Sequence, residues 1–220
     1  MARQVKPEEY AARRREILDA ALQLMHDKGY AAMTIEDLLS TLQISKGALY
    51  HYFRSKQALL EGIVEQMGES ATAELHRIVD ASDRTALDKL NAYFAASHAW
   101  KTENATAVAT LIRLWHDENN ALLRQKMTQG SMHTTAPFLE AIIRQGCAEG
   151  VFDTDFPHEA AGIITAIGLH MADAFIDAIE ADGAVGIDIS GPHARKAVAS
   201  YRQAFERILG IPDGSLAGGI

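Results

Sequence analysis

Apolar residues recur along most of the chain at three- and four-residue intervals, the spacing of one face of an α-helix. Ile17, Ala20, Ala21, Leu24 and Met25 trace such a face between residues 11 and 28, and Gly29 is a fitting left-handed stop after Lys28. Thr34, with Asp37 three residues on, reads as a capping-box-like start. Ile35, Leu38, Leu39 and Leu42 then give a short second helix its buried side. Ser45 is a good N-cap for a third helix, with Leu49, Tyr52 and Phe53 as its apolar bulk. Ser55 opens a fourth, in which Leu59, Leu60, Ile63, Met67, Ala71, Leu75 and Ile78 keep the helical step to about residue 79. Further helices are predicted near 84–101, 104–117, 120–149, 157–181 and 193–209. Pro137 falls inside the third of these. It removes a backbone bond to the carbonyl of His133, so it must kink or split that helix. No stretch alternates in the two-residue rhythm of a strand, so the predicted fold is all-α. Residues 181–192 are a Gly-rich connection, and the end of the chain, 213–220, is predicted to be a flexible tail.

Composition narrows the picture. The chain has 220 residues, 48% of them hydrophobic, enough for a substantial core. The net charge of −8 excludes a surface that is basic all over. It does not exclude a local patch, because residues 1–56 hold nine Lys/Arg against seven Asp/Glu, and the rest hold twelve against twenty-two. The basic residues gather in Arg13-Arg14-Arg15 and in Lys46, Arg54 and Lys56. The one cysteine, Cys147, allows no disulfide within the chain and fits a reducing compartment. The first residues, "MARQVKPEEYAARRRE", lack the apolar core of a secretory signal. The most apolar segment, 159–181, contains His170, Asp173, Asp177 and Glu180, which a membrane span tolerates poorly. A cytoplasmic protein with no membrane association is expected.

The chemistry concentrates in residues 34–56. Two short helices joined by "LQIS" make a helix-turn-helix pattern, whose second helix enters the major groove of DNA. On this reading Ser45 and Lys46 open the recognition helix and Lys46 adds charge. Gly47 and Ala48 keep its face slim, and Ala48 can meet a thymine methyl. Tyr50 and His51 reach backbone phosphates. Lys56 and Thr34 sit at helix starts, where free N–H groups also favour a phosphate. Tyr52 and Phe53 anchor the helix to its scaffold. Spacing alone leaves a second reading open, a capped amphipathic helix with a solvated basic edge.

The segment "TIEDLLSTLQISKGALYHYFRSKQALL", residues 34–60, resembles the DNA-binding domain of the TetR family of transcriptional regulators. The preceding "EILDAALQLMHDKGYAAMTIEDL", with its Gly29-Tyr30 bend, is similar as well. The resemblance is strong over about residues 11–60. Two positions depart from the family's usual form: Leu39 stands where an alanine is common, and Gln43 where the turn usually has glycine. A left-handed backbone there costs glutamine more than glycine.

The resemblance implies a division into a helix-turn-helix domain, 1–56, a helical ligand-binding and dimerisation domain, 57–212, and the tail, 213–220. It also implies a homodimer on a palindromic operator, released by a small-molecule effector and acting as a repressor. The helix from Ser55 to about Val79 would be the lever between ligand and DNA. The dimer would form on the last two long helices, with Ile167, Phe175, Val198, Tyr201 and Phe205 in the interface. A largely apolar effector site would be lined by Phe94, His98, Trp115, His133 and His170. Taken singly, each of these reads first as ordinary core, with the histidines satisfied by backbone carbonyls. His98, His133 and His170 include no close-spaced ligand pair, so no metal or cofactor is expected. His116-Asp117-Glu118 invites an enzymatic reading, but neighbours on a helix do not share a face, and no enzyme is expected. A C-terminal domain that binds a protein partner is the remaining alternative.

Overall fold

The structure, a computed structural model, describes residues 7–116, 121–181 and 191–217. Over these the chain is entirely helical: α1 Pro7–Lys28, α2 Ile35–Leu42, α3 Lys46–Tyr52, α4 Lys56–Asp80, α5 Ala86–Glu103, α6 Ala105–His116, α7 Ala121–Thr134, α8 Ala136–Glu149, α9 Pro157–Ala181 and α10 Pro192–Ile208. The all-α expectation holds. Pro137 splits the predicted 120–149 helix: α7 ends at Thr134, and the proline falls in the first turn of α8, where its missing N–H costs no bond.

Two cores organise the helices. The first gathers Ile17, Leu18, Ala21 and Met25 of α1, Leu38 of α2, Leu49 and Phe53 around α3, and Leu59, Leu60 and Ile63 of α4. A boundary at residue 56 therefore cuts through this core, which continues to Ile63. Each fully buried leucine here contributes about 1.5–3 kcal/mol by leaving water, more than an exposed ion pair such as Arg13–Glu16 at about 0.2–1 kcal/mol. The fit at Gly62 is close: a Cβ there would stand 3.0 Å from both Leu18 Cδ2 and Phe53 Cε1, and those side chains would have to give by a few tenths of an ångström.

The second, larger core is built from α4, α5, α8, α9 and α10, with Leu90, Ile142, Ile143, Ile164 and Phe205 among its members. Two expectations are corrected here. Phe205 does not face outward for a partner: it is 1% exposed and stacks on Phe94 with ring centroids 5.6 Å apart and planes 1° from parallel. Val198 is also buried, whereas Ile167 and Tyr201 keep part of their surface accessible. The Phe175 side chain lies outside the described residues. The second correction is the tail over residues 213–217; residues 218–220 lie outside the described residues. Leu216 is 1% exposed within the larger core, and the backbone N–H groups of Gly214 and Leu216 both donate to Glu206 Oε1 at 2.9 Å. Ala217 N donates to Asn91 Oδ1 at 2.7 Å. One apolar residue and two side-chain acceptors thus hold a segment whose composition reads as loose.

Candidate DNA interface and its coupling to the helical body

Local chemistry fixes the start of α2. Thr34 Oγ1 accepts from Asp37 N at 3.1 Å, and Thr34 N donates to Asp37 Oδ2 at 2.9 Å, a complete capping box. Lys28 Nζ, at the end of α1, lies 2.7 Å from Asp37 Oδ1. That hydrogen bond, then those from Thr34, hold the Asp37 carboxyl down at about 2. Thr34 is exposed, and its hydroxyl proton remains able to donate to a phosphate oxygen.

The turn between α2 and α3 needs a left-handed residue, and Gln43 provides it at φ 51° and ψ 43°. It is the one non-glycine with positive φ among the described residues. Its N–H and that of Ile44 both close onto Leu39 O, so the turn satisfies α2's end in spite of the strain. Ser45 then caps α3, its Oγ accepting from Ala48 N at 3.2 Å.

The recognition helix is divided by burial. Leu49 and Phe53 are 1% and 5% exposed, while Ser45, Lys46, Gly47, Ala48, Tyr50 and His51 all face out. A Cβ added at Gly47 would meet nothing within 4 Å, so the chain's own packing makes no demand for glycine there. Lys46 Nζ lies 5.9 Å from the Tyr50 ring centroid. Tyr52 stacks on Tyr10 of α1 with centroids 4.6 Å apart, and His51 meets Tyr10 edge-on at 5.8 Å. Tyr10 is the scaffold residue that the sequence reading missed. Its isolated position before the apolar stripe of α1 is the only signal it gives.

Lys56 departs from expectation. Its Nζ donates to Ala31 O at 3.3 Å and sits 4.4 Å from the Tyr30 ring centroid, and burial pushes its pKa down. It ties α4 to the turn after α1 and does not stand free for a phosphate.

Comparison with known proteins decides what this arrangement belongs to. Residues 17–63 match the bacterial regulatory proteins of the tetR family, and residues 105–178 match the tetracyclin repressor-like C-terminal domain, together more than half of the chain. The chain belongs to the TetR family. The HTH-type transcriptional repressor KstR2 of Rhodococcus jostii is 27% identical over 154 residues, 69% of this chain and 73% of that protein. KstR2 of Mycolicibacterium smegmatis is 32% identical over 91 residues, 41% of this chain but only 44% of that relative's length. Among solved structures, a TetR-family regulator from Pectobacterium atrosepticum superposes with a TM-score of 0.70 at 20% identity, covering 94% of this chain and all of that one. The complex of SmeT with triclosan gives 0.69 at 23% identity, covering 95% and 96%. At these identities the structural likeness speaks for the shared TetR fold.

In this TetR-family chain α4 is not the only link between the two cores. Leu111 and Leu114 of α6 are each 6% exposed and belong to the first core. Beside them Arg113 Nη2 lies 3.0 Å from His26 Nδ1 of α1, and Thr110 Oγ1 lies 3.1 Å from the same nitrogen. Arginine can only donate, so His26 Nδ1 accepts. Lys126 of α7 adds an ion pair to Glu61 of α4 at 2.6 Å, which holds the Glu61 carboxyl below its usual range. Sequence reasoning missed the α6 connection. The i, i+3 pair Leu111 and Leu114 was its signal, but periodicity does not say which core a stripe enters.

The five residues expected around an effector fare differently. Phe94 is core, 7% exposed against Phe205. His133 is exposed, its Nδ1 2.9 Å from the carbonyl of Gln129, and His170 is exposed on the single chain. His98 and Trp115 are partly buried. Two shallow surface clefts, of about 350 Å³ beside Arg202 and Asp213 and about 390 Å³ beside Arg14 and Tyr52, hold none of the five. Among the described residues no three His, Cys, Asp or Glu side chains come together to hold a metal ion. Among them, too, no helix is long and apolar enough to cross a membrane.

Proposed function

We propose that the protein is a cytoplasmic transcriptional repressor that binds a palindromic operator as a homodimer and is released by a small, largely apolar effector. The observation that carries the DNA-binding part is the sorting of α3. Its slim, cationic N-terminal face is exposed, and its bulk is sunk in the first core. That is the arrangement a recognition helix needs to lie in a major groove. The SmeT complex with triclosan and the repressor relatives support extending effector-controlled repression to this chain.

Dimerisation draws support from charge and exposure. Helix α9 carries Glu159, Asp173, Asp177 and Glu180 and no lysine or arginine, whereas α10 carries Arg195, Lys196, Arg202 and Arg207 against Glu206 alone. Acidic α9 of one copy opposite basic α10 of the other is electrostatically favourable. Ile163, 49% exposed on α9, gives the contact an apolar centre that a lone chain leaves in water. Ile167 and Tyr201 remain candidates for the rim. Within each chain α4, α6 and α7 would carry the effector signal, a coupling of about 1–3 kcal/mol in typical allosteric proteins.

The test is an electrophoretic shift with DNA from beside the protein's own coding region, at two salt concentrations. Specific binding that weakens with salt is expected. Lys46→Ala should lower operator affinity and flatten the salt dependence while leaving the melting temperature unchanged. If Lys46→Ala and Tyr50→Ala both bind like wild type, α3 does not read the operator.

A further inference from the structure

Helix α1 starts well before the core it serves. Its first buried residue is Ile17, and Ile17, Leu18, Ala21 and Met25 carry its share of the first core. Arg14 and Tyr10 extend the same line backwards at helical steps, one and two turns ahead of it. Neither belongs to a core cluster, yet both are partly shielded from water. What they cover is the end of the recognition helix. Arg14, paired with Glu65 at 2.6 Å, lies 5.5 Å from the Phe53 ring centroid. Tyr10 lies on the ring of Tyr52, with planes 26° apart.

His51 sits between these rings. It is exposed, and an exposed side chain ordinarily keeps its choice of rotamers. Here two rings meet the imidazole edge-on: Tyr10 at 85°, and Tyr52 at 5.2 Å and 84°. A residue of another helix therefore confines it, while the residue as a whole stays open to water. By contrast Lys46 and Tyr50 of the same helix lean on each other, and on no ring of α1 among the described residues. The imidazole carries an N–H in either neutral tautomer and two when charged, so it always has a donor for a phosphate oxygen.

We propose that Tyr10 is a positioning residue for operator binding: its ring holds the His51 imidazole in place, so that His51 meets a backbone phosphate without further ordering. The proposal rests on the reading of α3 as the recognition helix, and it adds to that helix a residue from the far end of α1. Ordering a side chain on binding lowers affinity by about three- to tenfold, and a side chain ordered beforehand escapes that loss. The two turns of α1 ahead of Ile17 thus have a use that packing of the core does not give them.

A double-mutant cycle on the full-length protein tests it, with labelled DNA from beside the coding region read by fluorescence anisotropy. Tyr10→Ala should weaken binding about three- to tenfold, and Tyr10→Phe, which keeps the ring, should stay within about twofold of wild type. In a His51→Ala background, Tyr10→Ala should cost less than about twofold. Tyr10→Leu fills the same seat without a ring; it should match Tyr10→Ala, and it replaces that variant if melting temperatures show that alanine unfolds the head. Wild-type affinity in Tyr10→Ala and Tyr10→Leu overturns the assignment. So does an equal loss with and without His51, which would make Tyr10 act by another route. If Tyr10→Phe binds as weakly as Tyr10→Ala, the hydroxyl itself touches DNA and the positioning role is rejected. If His51→Ala binds like wild type, the positioning role falls and the regulator stands. If the wild type does not bind this DNA specifically, both fall together.

Discussion

At Gly47 the structural and functional demands on one residue can be separated. An added methyl group meets open space, and alanine is the better helix former. Gly47→Ala should therefore raise unfolding stability by about 0.5–1 kcal/mol and at the same time weaken operator binding, because the added Cβ stands between helix and groove. Denaturant titration and fluorescence anisotropy on operator DNA read the two effects. A variant that gains stability and binds DNA unchanged would show that the helix does not approach the groove at this point. The exposed side of α3 was legible because Leu49 and Phe53 mark the buried side, and Lys46, Gly47 and Ala48 lie off it. Lys56 was not legible: its partner is a backbone carbonyl, that of Ala31, 25 positions earlier, and a carbonyl leaves no mark in the sequence. Phe205 misled for a related reason. An aromatic on an apolar stripe fits a core and an interface equally well, and only the stack on Phe94 decides between them.

The short helices depend on their ends. α2 has eight residues and α3 seven, too few to persist alone, so caps and packing must hold them. The Thr34–Asp37 box was readable from spacing, and the strain at Gln43 from the resemblance, in which a glycine is usual at that turn. The Lys28–Asp37 ion pair was not, since it joins two elements. Asp37 titrates at about 2 when folded, below its ordinary 3.8. A depressed carboxyl stabilises the fold above its unfolded pKa, and that contribution is lost as pH falls through the folded value. Acid should thus loosen α2 between about pH 4 and 2, and Asp37→Asn should remove this component. Far-ultraviolet circular dichroism across that window, compared between wild type and variant, checks it. Identical acid transitions would assign the loss to other carboxylates.

For the molecule as a whole, the exposed face of α9 is the place to test assembly. Ile163→Glu changes a residue that is half exposed in the single chain, so folding should survive while dimers dissociate. Light scattering at micromolar concentration should report a monomer, and operator affinity should fall with it. A dimeric variant would move the interface away from α9. A charge at Phe205 cannot serve the same purpose, because it would break the larger core. The all-helical architecture was legible from periodicity and capping. The seating of α6 in the first core was not, because an apolar stripe does not name its destination. Leu111 and Leu114 are seated in the first core, so the head is completed by side chains from more than forty positions beyond Ile63. A chimaera that grafts residues 7–63 onto another regulator's body would arrive with an open seat where those leucines belong. Heads of this kind should be interchangeable only when the recipient's sixth helix offers side chains of matching shape, a compatibility rule for building hybrid sensors.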